Sequence, residues 1–142
     1  MNQVNQGRVI LGGVVGGLVI FLLMGLANHL FLDADWKSWM GTFGALLQNP
    51  SPKNSMLLWF LMSLVFGLTG AAIYAGIRPR YGAGGGTAIR AGFLLWLAGD
   101  LTQLFNGLAI GDLPRRIIAG ECLAGLPALL IGTYIAAAIY KE

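Results

Sequence analysis

The chain has 142 residues, 56% of them hydrophobic and only 11% charged, with a formal net charge of +3. Its mean hydropathy is +0.72. A soluble domain carries about 25% charged residues, so this composition excludes a water-covered globule and points to the membrane. Four apolar runs near or above the ~20-residue bilayer length predict one all-α membrane domain, a four-transmembrane-helix bundle over residues 1–142. The single Cys122 excludes an internal disulfide and a multi-cysteine metal site, and the small net charge excludes nucleic acid as a partner.

The first span is expected over residues 8–32. Arg8 ahead of an apolar run and Gly25-Leu26-Ala27 have the look of a secretory leader, but the run is longer than a leader's core, so a retained span is expected. Gly13, Gly17, Phe21, Gly25 and His29 recur every fourth residue, with Gly12 and Gly16 beside them, which marks a close-packing face. Gly25 one turn before His29 would leave room for a flat macrocycle, so haem or chlorophyll ligation by His29 is weighed. A packing histidine is the preferred reading, and no cofactor and no metal are expected.

Residues 33–55 read as a long connection holding a short interfacial amphipathic helix. Trp36, Trp39, Met40, Phe43, Leu46 and Leu47 follow helical spacing, and tryptophans favour headgroup depth. A cap packed over the bundle is the alternative. Asn49-Pro50-Ser51-Pro52 is expected to end this helix.

The second span is expected over residues 56–77, with Ser63, Gly67, Ala71 and Ala75 as its small-residue stripe. Pro79 is expected to stop it, leaving a basic, glycine-rich hairpin from Arg78 to Thr87. No strand precedes these glycines and no Lys-Ser/Thr follows them, so they are a turn and not a phosphate loop. Arg78, Arg80 and Arg90 are candidate contacts for lipid headgroups or a partner surface.

The third span, over residues 87–111, opens on Thr87 as N-cap. It is unlike the others in carrying Asp100, Gln103 and Asn106 at spacings of three to four, on one face with Gly92 and Trp96. A charge at mid-span costs about 2.5–3.5 kcal/mol on insertion scales, so Asp100 must face protein or water. The fourth span, over residues 114–140, starts at Pro114. It carries Gly120, Ala124, Ala128, Gly132 and Ala136 at spacing four, with a kink expected at Pro127. Glu121 lies on this span.

At about 1.5 Å per residue, His29, Asn106 and Glu121 fall at similar depths in the outer half of the bilayer, with Asn28 beside His29 in the same polar cluster. Gln103 and Asp100 continue inward by a turn and more. If these faces converge they form a polar cluster opening outward, with Asp100 at its floor and Trp96 and Gly92 below. That closed floor argues against a continuous pore. The bland readings are a helix-to-helix hydrogen bond for Asp100 and an interfacial, helix-start position for Glu121. Lysines and arginines divide between the two ends as Arg8, Arg78, Arg80, Arg90 and Lys141 against Lys37, Lys53, Arg115 and Arg116, which places both termini and the hairpin in the cytoplasm.

The stretch Ile77-Arg78-Pro79-Arg80-Tyr81-Gly82, continuing through Thr87-Ala88 to Gly92, follows an Arg-led, glycine-rich first span and precedes Trp96. In these features the chain resembles an uncharacterised family of small four-span bacterial membrane proteins. The resemblance implies the bacterial inner membrane as location and no particular activity. Asn28-His29 stand where it leads one to expect a carboxylate.

Three function classes remain open. The first is a non-catalytic subunit or assembly factor of a larger respiratory, photosynthetic or transport complex. Its partners would be the lipid bilayer and other membrane subunits, or copies of itself. It is favoured by small-residue stripes beyond what one bundle needs, with the Gly12/Gly16 ridge free for a partner. The second is a small oligomeric transporter or proton-coupled carrier using Asp100 and Glu121. A membrane enzyme is least supported, since no nucleophile–base pair, metal cluster or phosphate motif is present in the sequence.

Overall fold

The computed structural model describes residues 5–43 and 54–140, and every element in them is helical. Helix α1 (Gln6–Ala27) runs through a π-helical turn (Asn28–Leu32) into α2 (Asp33–Phe43). Helix α3 (Ser55–Tyr81) comes next, then α4 (Gly85–Trp96), a second π-helical turn (Leu97–Leu101), α5 (Thr102–Ile110) and α6 (Arg115–Ile139). Four of these continuous helices, Gln6–Thr42, Ser55–Tyr81, Gly85–Ile110 and Arg115–Ile139, are long and apolar enough to cross a membrane.

The start of α1, the end of α3, the start of α4 and the end of α6 share one core cluster, in which Val9, Tyr74, Ala88 and Tyr140 meet. The helices therefore run up and down, and this cluster marks the end that holds the described N-terminus. Helices α1 and α4 do not touch; each packs on α3 and α6, which also touch each other. A second cluster of Ile20, Leu95 and Leu129, flanked by Phe66 and Trp96, closes the bundle at mid-height.

Close packing rests on bare backbone. A Cβ on Gly67 would overlap the Gly13 carbonyl oxygen and the Gly17 backbone, so α1 and α3 touch main chain to main chain there. On the adjoining face, a Cβ on Gly12 would come within 2.6 Å of the Ala136 carbonyl oxygen, and one on Gly16 within 2.6 Å of the Gly132 oxygen. Small residues let helices approach this closely where lipid supplies no hydrophobic drive. The Gly12/Gly16 ridge is thus already spent inside the bundle and is not left for a partner. Ala71 and Ala128 are buried, whereas Gly120 meets the side chain of Leu32 and Ala124 only lines a shallow groove between α1 and α6. The small-residue ladder of α6 packs closely on α1 only in its lower half.

Several boundaries differ from the sequence expectation. The first span does not end at Leu32: no proline or glycine separates it from Trp36, and the π turn absorbs the change of phase. The described part of the expected surface helix is therefore a continuation of α1, while Leu46, Leu47 and the Asn49-to-Pro52 stretch lie outside the described residues. This extension is tied to the start of α6 by an Arg116 Nε–Asp35 Oδ2 ion pair of 3.2 Å and by Trp39 Nε1–H donating to the Asp112 carbonyl at 3.2 Å. It is a cap on the bundle.

Pro79 does not stop α3. It lies in the last turn, where its missing N–H removes a single bond, and ring contacts hold the flanking residues: Arg78 over Tyr140 and Arg80 over Tyr81. The expected ten-residue hairpin shrinks to Gly82-Ala83-Gly84, with φ of 81° and 130° at the two glycines. Thr87 is inside α4, not its N-cap. Its hydroxyl donates back to the Gly82 carbonyl at 2.8 Å, tying the turn shut.

Candidate functional site

Above the mid-height plug the helices separate around a cavity of about 780 Å³, within the range of small-molecule sites. Both π turns contribute to its lining. Each adds a residue to its helix and re-aims the helical segment after it, and such turns recur at functional sites. The first turn carries Asn28 and His29, the second Asp100. Beyond the second turn, α5 packs on α6 but not on α3, and none of its residues is buried. Helices α3 and α5 both contribute residues to the cavity lining.

All six residues of the expected polar cluster line this one cavity: Asn28 and His29 from the first π turn, Asp100, Gln103 and Asn106 from the third span, and Glu121 from α6. Their surroundings differ. Asn28 Nδ2–H donates to the Met24 carbonyl at 3.1 Å, and Asn28 Oδ1 accepts from Trp36 Nε1–H at 2.8 Å. The Glu121 carboxyl lies within hydrogen-bonding reach of the same Asn28 and Trp36 side chains. This network fixes the π turn, α2 and α6 to one another.

At the next residue of α6, Trp96 Nε1–H donates to the Cys122 carbonyl at 2.9 Å, fastening the third span just before its π turn. Asp100 then lies over Gly125, whose missing side chain leaves the notch that the carboxylate occupies. No donor among the described residues hydrogen-bonds Asp100, so the bland reading of Asp100 as a helix-to-helix hydrogen bond is not what the structure has. The Asp100 and Glu121 carboxyls are close enough to repel each other. Gln103 and Asn106 are exposed on the side facing the opening.

His29 is corrected: it is exposed at the rim, not a packing residue, because the close helix contact along the Gly13–Gly17 line ends before it. Gly25 has open space above it, so the packing face ends at Phe21, whose ring meets Phe60 edge-on at 5.4 Å. Among the described residues no group of three or more His, Cys, Asp or Glu is placed to hold a metal ion.

The floor is Ile20, Phe66 and Leu129, with Ile20 and Leu129 each 1% exposed. Trp96 packs behind that floor and Gly92 is buried against α6 below it, so the closed floor stands with a different set of side chains. The apolar wall, Met56, Trp59, Met62 and Phe66, comes from α3, a span with no acidic residue to draw attention in the sequence. Gly125 is also new. One glycine among 22 carries no sequence signal of its own, though it lies one turn from Glu121.

No known family model, curated protein or solved structure matches the chain.

At the other end, Arg78 is half-buried, while Arg80 and Arg90 are exposed on either side of Tyr81, with Arg90 5.0 Å from its ring centre. These three arginines are far from the cavity and form a separate basic rim.

Proposed function

We propose that the chain is a small multi-pass membrane carrier that takes a small molecule into this cavity and holds it at Asp100 and Glu121. The observation that supports the reading is the convergence of two carboxyls, from two different helices, on one cavity that an apolar plug closes. An ionisable group inside a span is costly, and a functional role is its default explanation when protein supplies no partner. Carriage requires the Ile20–Phe66–Leu129 plug to part. The plug is one layer of side chains above helices that touch through glycine backbone, an arrangement suited to small rigid shifts.

The cavity is taken to face outward, with the termini and the Gly82–Gly84 turn in the cytoplasm of a bacterial cell. The density of Arg78, Arg80 and Arg90 supports that orientation, and the family resemblance of the Ile77–Gly92 stretch supports the bacterial inner membrane. The reading as an accessory subunit drew on a spare glycine ridge that packing has used, so the carrier reading is preferred.

The test is binding to the purified chain in nanodiscs, using a panel of small cationic, anionic, zwitterionic and neutral compounds. The reading expects at least one to bind saturably to the wild type and at least tenfold more weakly to Asp100→Asn. Binding of none, or equal binding to both proteins, would contradict it.

A further inference from the structure

Resting on the carrier reading, the cavity's own chemistry narrows the ligand. Four carboxylates line it, Asp33, Asp100, Asp112 and Glu121, and no lysine or arginine among the described residues does. Asp33 is answered by Lys37 at 2.6 Å, near the rim, and Glu121 by neutral donors. Asp100, the deepest, has neither. The interior therefore carries uncompensated negative charge inside low-dielectric walls, which focus the field and favour a cation. An anion would meet like charge at the floor and would lose its hydration for nothing in return.

The walls exclude a bare inorganic ion as the fitting occupant. Met56 and Met62, with the rings of Trp59 and Phe66, form an apolar wall on α3, and Leu104 of α5 adds to the apolar lining. A hard divalent cation takes six to eight oxygens or keeps its waters, and these walls offer neither. Aromatic faces and flexible thioethers do suit a soft, delocalised or alkyl-substituted positive centre. Among the described residues, α3 and α5 both line the cavity without a close backbone approach to each other.

We infer that the cavity takes an amphipathic organic cation, its apolar body against Trp59, Phe66 and the α3 methionines and its positive centre between Asp100 and Glu121. No covalent step is involved.

The test compares two ions of one shape and opposite charge, tetraphenylphosphonium and tetraphenylborate, by equilibrium dialysis against the full chain in nanodiscs of neutral lipid. Saturable binding of the phosphonium, at least tenfold tighter than any binding of the borate, is expected. Asp100→Asn should lower phosphonium affinity at least tenfold. Because that variant can change folding, a second readout keeps Asp100 intact. In a Cys122→Ser, Gln103→Cys protein, the phosphonium should slow maleimide labelling at position 103 and the borate should not. Equal binding of the two ions, or phosphonium binding without protection at position 103, would overturn the inference. If only a zwitterion or neutral compound binds in an Asp100-dependent way, the cation inference fails while the carrier reading stands. If nothing binds in that way, both fail.

Discussion

The carboxylate of Asp100 occupies the space that a side chain at Gly125 would fill. A Cβ built on Gly125 would overlap Asp100 Oδ2 and lie 2.6 Å from its Cγ. Acid and notch come from different spans and match because Trp96, one turn earlier, is fastened to the α6 backbone. Gly125→Ala should therefore push the carboxylate into the cavity without breaking the bundle, since the side chain of Asp100 can rotate. Ligand affinity is expected to fall at least tenfold, about 1.4 kcal/mol, at near-unchanged thermal stability. Wild-type affinity in Gly125→Ala would show the notch to be idle.

The glycine contact between α1 and α3 makes a stability prediction. At Gly67 an added methyl meets backbone on α1, which cannot swing aside, so Gly67→Ala should cost about 1–3 kcal/mol. Gly76 lies on the same helix with nothing within 4 Å of a Cβ, and Gly76→Ala should be neutral or stabilise by about 0.5–1 kcal/mol. Thermal unfolding in detergent, monitored by size-exclusion chromatography, separates the two. Equal effects would mean that the α1–α3 contact is not the tight one.

The Asn28–Trp36 pair should behave as one unit. Trp36→Phe removes the donor to Asn28 Oδ1 and is expected to cost about 1 kcal/mol, as is usual for one hydrogen bond. Asn28→Ala should cost more, because its bond to the Met24 carbonyl goes as well. The double variant should then be less destabilised than the sum of the two, and strict additivity would exclude the network.

Much of this was legible from residue spacing. Polar residues three to four apart on the third span, and Glu121 at matching depth on the fourth, were enough to expect one cluster at one level, and they line one cavity. Small-residue stripes marked the helix contacts, yet spacing alone could not say which neighbour each stripe meets, so Gly12 and Gly16 looked spare. The π turns were illegible because they leave composition untouched and only shift phase, and His29 reached the rim because the packing line ends at Phe21, before the point that spacing implied. Pro79 looked like a stop because its cost is judged locally, while Tyr140, from the far end of the chain, and Arg90, from α4, hold that last turn through Arg78 and Tyr81. Trp59 and Phe66 carry no sequence signal that sets them apart from other apolar residues of the second span, and only the structure places them in the cavity lining.

Orientation is open to a direct check. Single cysteines replacing Asn5, Gly84 and Asp112 in a Cys122→Ser background should react with an impermeant maleimide on intact cells only at position 112. Labelling at positions 5 and 84 instead would turn the cavity toward the cytoplasm.

Uptake into proteoliposomes tests the central claim most directly, that Asp100 holds the transported molecule. The measurement is the initial rate of labelled tetraphenylphosphonium exchange between preloaded vesicles and medium, for wild type and Asp100→Asn proteins of matched thermal stability. Exchange above that of protein-free vesicles in the wild type, with at least a tenfold loss in the variant, is the predicted result. Equal exchange by the two proteins would contradict the account, and so would wild-type exchange no faster than that of protein-free vesicles.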